Sequence, residues 1–371
     1  MKAIAVLPSE RDVRLVDVPA PTIERPTQAK LRILEVGVCG TDREICAFDY
    51  GTPPAGSPHL VIGHEALGEV IEVGSAVTTL RPGDLVVPMV RRPCAVPTCT
   101  SCRADRQDFC FTGEFRERGI REEHGFMTEL VVEEEKYLVP VPSALRPAAV
   151  LVEPLTIAEK ALIQVFQMQE RLPWSCPHRP GKDHGHCRRA VVLGAGPVGL
   201  LGALALRASD FETIVYSREP APNEKSALVL SIGAAYVSSE DETPEALAKR
   251  VGGIDLVYEA AGASAVAFEM MRALGPNSMF VFTGVPGRKA PIEVDTDRLM
   301  RDLVLKNQVV FGTVNAGRDA FEAAIRDLGR FASRWPDAVG RLVTARHPVE
   351  HYRELLLARP TGIKNVISFG D

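Results

Sequence analysis

The stretch that decides the fold is Gly194-Ala195-Gly196-Pro197-Val198-Gly199, which has one apolar run before it (residues 190–193) and another after it. Gly194 and Gly196 permit a tight turn and let the backbone approach a pyrophosphate, while Gly199 lets a helix pack closely on a strand. The N-terminus of that helix adds partial positive charge. The pattern predicts a strand, turn and helix that bind a dinucleotide, with an ordinary glycine-rich turn as the alternative.

Strands and helices alternate from this stretch onward. The runs that predict strands are residues 190–193, 213–217, 255–258, 279–283 and 308–311. Such alternation predicts βαβ units, and therefore a doubly wound parallel sheet. A helix is expected near residues 318–333, before an apolar stretch at 365–369.

The first 150 residues have a different pattern, with short β-type runs broken by Gly and Pro. These runs are residues 30–36, 68–73, 84–87, 128–132 and 136–139. They predict an irregular all-β domain. Apolar residues at helical spacing then follow Pro154, and a polar segment at 173–188 reads as a solvated connection. A third metal site is the alternative for that segment, and we assign no role to its metal-ligating residues, Cys176, His178, His184, His186 and Cys187.

The cofactor preference is predicted from the end of the second strand of the parallel sheet. A site that prefers NAD usually has an acid there, which bonds the ribose hydroxyls. This chain has Ser217 and Arg218 instead, and a guanidinium can pair with a 2′-phosphate in a bidentate way. We therefore expect NADP, with NAD as an alternative because Glu219 is adjacent. A solvated loop arginine is the other interpretation of Arg218.

Four cysteines fall within seventeen residues, separated by gaps of four, two and seven: Cys94, Cys99, Cys102 and Cys110. Four closely spaced thiolates suit a closed tetrahedral zinc with a structural role. A redox cluster is the alternative. In a long chain without an export signal, such a cluster favours metal over disulfides.

A second, dispersed set of ligands comprises Cys39, His64, Glu65 and Glu153. A Cys, a His and one or two carboxylates would supply about three protein ligands and leave a position open for water or a substrate oxygen. That arrangement is typical of a catalytic zinc. We therefore expect two zinc ions per chain.

Composition excludes several classes of protein. The 371 residues carry a net charge of −5 and no clustered basic stripe, which argues against nucleic acid as a partner. The first residues lack a secretory signal, and glycines and a proline interrupt the longest uncharged run, residues 190–206, so no membrane span is predicted. A cytoplasmic location is the default expectation.

These motifs, in this order, resemble the zinc-containing medium-chain alcohol dehydrogenase superfamily nearly end to end. Within it, the stretches CGTDREI, VRRPC, DFCFTGEF, GFMTEL, VEPLTIAEKAL and GTVNAG resemble the glucose 1-dehydrogenase branch. The resemblance implies a GroES-like catalytic domain at 1–188 with a zinc lobe at about 91–113. It also implies a Rossmann domain at 189–312, a C-terminal segment at 313–371 that returns to the catalytic domain, and a homotetramer, with a dimer as the alternative.

The resemblance also implies roles for particular residues. Catalytic zinc would bind Cys39 and His64 with Glu65 or Glu153, one of them through water. The contacts with sugar hydroxyls would come from Glu114, Glu153 and Asn315. Thr41 would relay the substrate proton through the cofactor ribose, with Glu44 ending the relay or else lying as a plain surface carboxylate.

The implied reaction is zinc-dependent oxidation of an aldose, D-glucose or galactose, at C1 to the lactone with NAD(P)+. Two departures from the branch stand out: the lobe has two extra residues between Cys94 and Cys99, and Val90 replaces an Asn that would bond the sugar. A polyol, threonine or secondary-alcohol dehydrogenase is therefore the first alternative. A zinc- and NADP-binding protein without catalysis is the second.

Overall fold

The computed structural model describes residues 1–174, 176, 180–183, 185–287, 291–359 and 361–369. The chain forms two compact units. The first comprises Met1–Thr156, Asn315–Gly329 and Leu342–Asp371, and the second comprises Ile157–Val314 and Arg330–Arg341. His178 and His184 of the sequence analysis lie outside the described residues.

The strands of the described residues are β1 Lys2–Leu7, β2 Asp12–Asp17, β3 Gln28–Gly37, β4 Leu60–Val61, β5 Glu65–Val73, β6 Leu85–Pro88, β7 Arg91–Arg92, β8 Arg116–Arg118, β9 Glu122–Glu123, β10 Leu130–Glu134, β11 Leu138–Val141, β12 Arg189–Leu193, β13 Glu212–Ser217, β14 Ala235–Ser238, β15 Leu256–Glu259, β16 Met279–Phe282, β17 Val309–Gly312, β18 Val343–Pro348 and β19 Lys364–Ser368. The helices are α1 Gly40–Cys46, α2 Thr100–Arg103, α3 Val152–Gln169, α4 Pro197–Ala208, α5 Glu224–Ser231, α6 Pro244–Val251, α7 Ser264–Arg272, α8 Thr296–Leu305, α9 Arg318–Arg334, α10 Pro336–Leu342 and α11 Tyr352–Leu357.

The first unit is built on a seven-stranded sheet of order β11-β6-β5-β3-β19-β18, with β10 also pairing with β3. Alternate residues of β3 point into a fully buried core that includes Leu31 and Ile33. Gly37, the last residue of β3, pairs with Glu65 of β5 on one side and Val366 of β19 on the other. The end of β3 and the start of β5 therefore meet beside the middle of β19, just before Cys39.

The second unit contains a six-stranded parallel sheet of order β14-β13-β12-β15-β16-β17. The five strands predicted in this half of the chain are confirmed, and β14 is an additional one. Val191 and Val192 in the central strand β12 are fully buried, which fits an apolar run covered on both faces. The expected fold class, an irregular β domain with a doubly wound parallel sheet, is confirmed.

The compact units divide the chain differently from the predicted boundary at residues 188 and 189. The division falls at Thr156 and Ile157, inside α3, and residues 330–341 belong to the second unit. The sequence pattern marks where β12 begins, whereas compactness follows the packing of the helix before it. The assignment of functional domains to residues 1–188, 189–312 and 313–371 stays a prediction.

Two described residues of the polar segment before β12 are covalently joined. Cys176 and Cys187 are joined by a disulfide, with their Cα atoms 6.0 Å apart. Within the described ranges, no helix is long and apolar enough to span a bilayer.

Candidate active site

Three of the predicted zinc ligands converge where β3, β5 and β19 meet. One ligand atom each from Cys39, His64 and Glu65 lies within 4.8 Å of the others. Cys39 caps the N-terminus of α1, two residues beyond the end of β3, and His64 immediately precedes β5. The β3–β5 ladder thus brings together ligands that are 25 residues apart in sequence.

Asp42 supports two of these ligands and is completely buried. Its Oδ2 accepts a hydrogen bond of 2.8 Å from the backbone N–H of Cys39, and its Oδ1 lies 3.4 Å from Nδ1 of His64. Burial lowers the pKa of His64, but the charge of Asp42 and bonding to Asp42 and Cys39 raise it well above its usual value. A carboxylate behind a ligating imidazole orients the ring toward a metal.

Glu65 has a cationic partner that the sequence did not reveal. Nζ of Lys364 lies 2.8 Å from Oε1 and 2.5 Å from Oε2, and it also donates to the carbonyl of Val38 at 3.2 Å. The side chains of both Lys364 and Glu65 are almost wholly buried. A Cβ on Gly37 would overlap with the Glu65 carboxylate, so a larger residue at position 37 would displace the Glu65 side chain.

Glu153 lies near this cluster without being part of it. It is the second residue of α3, and burial raises its pKa to about 7, while its charge interacts with those of His64, Glu65 and Lys364. The predicted relay residues both lie on α1, where Thr41 is half-buried and Glu44 is exposed. The structure thus holds three buried carboxylates near Cys39 and His64, those of Asp42, Glu65 and Glu153, and Glu65 is the one that belongs to the tight cluster.

The four lobe cysteines form a compact sulfur cluster. All four sulfurs lie within 4.8 Å of one another, with 3.7 Å between Cys94 and Cys102 and 3.9 Å between Cys99 and Cys110. Zinc–sulfur bonds of about 2.3 Å in a tetrahedron place sulfurs about 3.8 Å apart. The two inserted residues between Cys94 and Cys99 therefore leave the geometry of a closed zinc site intact.

The segment after the last lobe cysteine is fixed by stacked guanidinium groups. The guanidinium of Arg91 lies 3.7 Å from the ring centre of Phe115, and that of Arg121 lies 5.1 Å away. Glu114, the predicted sugar ligand, is next to this clamped ring, and its side chain is exposed. Phe115 thereby limits where the Glu114 carboxylate can reach.

Asn315 is joined to the same segment through Glu117. Its Nδ2 donates to Oε1 of Glu117 at 3.1 Å, and that oxygen also accepts two bonds from Arg91 of 2.9 and 3.0 Å. Asn315 is buried and has a positive φ of 57°, which Asn tolerates better than most residues. The network links Asn315 to the segment that carries Glu114, although Glu117 and Asn315 are 198 residues apart in sequence.

The glycine-rich turn has the tight backbone geometry that its glycines predict. Gly194 has a φ of +99°, and its N–H donates to the carbonyl of Tyr216 at 2.9 Å. A Cβ on Gly199 would overlap with the Gly194 carbonyl, whereas the space beside Gly196 is open. Pro197 is the first residue of the twelve-residue helix α4, whose N-terminus follows the turn directly.

The end of β13 carries the predicted cofactor-selecting residues. Ser217 is the last residue of that strand, and Arg218 is exposed beyond it. Glu219 is paired with Lys225 at 3.0 Å, so its carboxylate is already engaged. The backbone carbonyl of Arg218 accepts a hydrogen bond from Ser238 at 3.2 Å, and no ion pair to its guanidinium is found within the part of the chain that the structure describes.

Sequence reasoning assigned no role to Asp42, Glu117, Phe115 or Lys364. Asp42 could have been found, because it follows Cys39 at the spacing of a helix cap. Lys364 had no local signal, since its partner is 299 residues away.

Comparison with known proteins finds two matching families and relatives that cover the whole chain. Residues 25–143 match the family described as alcohol dehydrogenase GroES-like domain, and residues 146–369 match glucose dehydrogenase C-terminus. The chain is 39% identical to glucose 1-dehydrogenase of Methanocella arvoryzae and 37% identical to that of Thermoproteus tenax, over 99% or more of each chain. It also resembles the structure of Haloferax mediterranei glucose dehydrogenase in complex with NADP, Zn and gluconolactone, with 34% identity, a TM-score of 0.88 and full coverage of both chains.

Proposed function

Because the chain belongs to the family of GroES-like alcohol dehydrogenases with a glucose dehydrogenase C-terminus, we propose that it oxidises an aldose at C1 to the lactone. D-glucose and galactose are the substrates to test first, with NADP+ as the preferred acceptor. The observation that carries the proposal is the cluster of half-buried Cys39 with buried His64 and Glu65, in a chain whose end-to-end relatives are glucose 1-dehydrogenases.

The donor set fits a catalytic zinc. A thiolate, an imidazole and a carboxylate are the mixed ligands that zinc accepts when one position stays open. Cys39 and His64 would supply two donors, and Glu65 or Glu153 the third, with the other carboxylate bonded through water. Zinc bound here would act as a Lewis acid on the substrate hydroxyl, while nicotinamide accepts the hydride.

The chain's own residues would then orient the sugar and move its proton. Glu114 accepts hydrogen bonds from hydroxyls remote from C1, and Asn315, fixed by Glu117, adds an amide. Glu153 is the third proposed sugar contact. Thr41 passes the proton outward from the buried cluster, and the exposed Glu44 delivers it to solvent.

The cofactor sites follow the same reasoning. Gly194, Gly196 and Gly199 shape the turn that receives the pyrophosphate, and Pro197 and Val198 begin the helix beside it. Ser217 and Arg218 would bind the ribose and the 2′-phosphate of NADP; NAD remains an alternative acceptor. The second zinc would bind the four lobe cysteines, where all four positions are filled by sulfur and the role is structural.

We further propose that the chain assembles into a homotetramer, with a dimer as the alternative. Helix α8 has no buried residue, and its Met300, Val304 and Leu305 are more than 60% exposed. Strand β17 forms an edge of the six-stranded sheet. An exposed apolar face beside an open strand edge is a typical contact surface. Light scattering tests this assembly, and Val304→Lys should lower the measured mass.

The function is tested with a panel of aldoses, polyols and short secondary alcohols, each offered with NAD and NADP. Glu114→Ala should lower kcat/KM for glucose or galactose. The corresponding loss of transition-state stabilisation should be about 1.5–3 kcal/mol, the cost of one charge-assisted hydrogen bond. Activity on a short secondary alcohol, which has no remote hydroxyl, should barely change. Equal losses on both substrates would show that Glu114 supports the lobe instead.

A polyol dehydrogenase is the second candidate, because Val90 is a buried apolar side chain beside Arg91 and offers no hydrogen bond to a sugar. The same panel separates the two candidates, since an enzyme that oxidises polyols and no aldose rules out the first. His64→Ala serves as the inactive control for either activity.

A further inference from the structure

A third group of metal-ligating side chains lies in the second unit, in addition to the four lobe cysteines and the Cys39 cluster. The sulfurs of Cys176 and Cys187 and a ring nitrogen of His186 lie within 4.8 Å of one another. All three belong to the segment that connects α3 with β12. Two sulfurs and an imidazole are the soft and borderline donors that zinc binds.

His186 is held in the tautomer that a metal requires. Its Nδ1 lies 2.8 Å from the backbone carbonyl of Asp183, and because a carbonyl can only accept, Nδ1 carries the proton. The lone pair is therefore on Nε2. That atom is buried and has no hydrogen-bond partner among the described residues. An unpaired buried acceptor destabilises the fold, and a bound cation would remove that cost.

The backbone around His186 is fixed before any ligand binds. The N–H of Gly185 donates to the carbonyl of Ser209 at 3.0 Å, and the N–H of Asp183 donates to Oδ2 of Asp210 at 2.8 Å. Gly185 packs so closely on Phe211 that a Cβ there would overlap with the ring. Two of the three donors therefore sit on a rigid support, and only Cys176 comes from the other end of the segment.

We propose that Cys176, His186 and Cys187 form a third zinc-class cation site that is available when the Cys176–Cys187 disulfide is reduced. Two equivalents of a low-molecular-weight thiol supply two electrons and two protons, which break the sulfur–sulfur bond, and the reductant becomes a disulfide. The cation then displaces one proton from each thiol and accepts the lone pair of Nε2. Water fills the fourth position of the tetrahedron.

Access to the site fits this reversible chemistry. Cys187 is exposed, whereas Cys176 and His186 are half-buried. A thiol reductant can therefore reach one sulfur directly, which is the requirement for thiol–disulfide exchange. Two thiolates also neutralise a divalent cation, so the reduced site needs no further charge.

The test measures zinc content of the full chain in two redox states. Each protein is prepared oxidised or reduced with a phosphine, equilibrated with Zn²⁺ and passed over a desalting column before metal analysis. The reduced wild type should hold one equivalent more than the oxidised wild type. Cys187→Ser should remove that extra equivalent, and His186→Gln should weaken its binding at least about tenfold. Cys46→Ala, which removes a buried thiol outside these clusters, should keep it.

Cobalt provides an independent readout. The difference spectrum of Co²⁺-loaded reduced wild type minus Cys187→Ser should show sulfur-to-metal charge transfer and tetrahedral d–d bands. Equal zinc content in both redox states, or an extra equivalent that survives both variants, overturns the proposal and leaves a plain crosslink. Dehydrogenase activity is not a readout here, so an error in the proposed reaction would not alter the result.

Discussion

Replacing Lys364 by Met should lower the free energy of unfolding of the metal-stripped protein by about 3–5 kcal/mol. The ammonium contacts both oxygens of Glu65, at 2.8 and 2.5 Å, in a place where both side chains are almost wholly buried. At about 3 Å and an effective dielectric constant of about 20, the attraction is about 5 kcal/mol. Met keeps most of the volume of the Lys stem, so the loss reports the uncompensated carboxylate rather than a cavity.

The measurement is guanidinium denaturation followed by circular dichroism, on Lys364→Met, Glu65→Gln and the double variant. The double variant carries no unpaired charge, and it should therefore be clearly more stable than Lys364→Met alone. With zinc present, the metal gives Glu65 a second cation, so the loss for Lys364→Met should shrink. A loss below about 1 kcal/mol, or a double variant no more stable than the single one, would refute the reasoning.

Three other predictions concern separate parts of the chain. Cys102→Ser should reduce the bound zinc by one equivalent and lower the melting temperature, as metal analysis and calorimetry can check, because three thiolates no longer close the lobe site. Arg218→Ala should weaken the binding of NADP by about 1.5–3 kcal/mol and change the binding of NAD little, as titration calorimetry can check. Equal losses for both cofactors would show that Arg218 contacts the pyrophosphate or supports the fold. Burial would raise the pKa of Glu133, but Arg118 and Arg92 outweigh it and lower that pKa to about 2. The stability that this carboxylate contributes is thus present above pH 4.5 and is lost as the pH falls toward 2. Glu133→Gln should remove about 3 kcal/mol of that acid dependence, as urea titrations at a series of pH values can check. An unchanged dependence of the unfolding free energy on pH would contradict the shift.

The sequence determined the features whose parts are close neighbours along the chain. The turn from Gly194 to Gly199 and the four-cysteine lobe each depend on spacing within one short segment, so their residue types alone predicted a dinucleotide turn and a closed sulfur site. The parallel sheet followed from the alternation of apolar runs, because strand and helix periods differ in sequence. The dispersed ligands Cys39 and His64 became convincing only in combination, yet their residue types still indicated zinc.

Tertiary structure alone decided the contacts that the strand order creates. Lys364 reaches Glu65 because β19 and β5 both pair with β3, on its two sides, and no local sequence pattern predicts that contact. Asn315 meets Glu117 across 198 residues for a similar reason. The segment before β12 read as a solvated connection because its composition is polar, whereas anchoring on Ser209 and Asp210 brings Cys176 and Cys187 together. Local composition fixes which donors exist, and packing fixes which of them share a space.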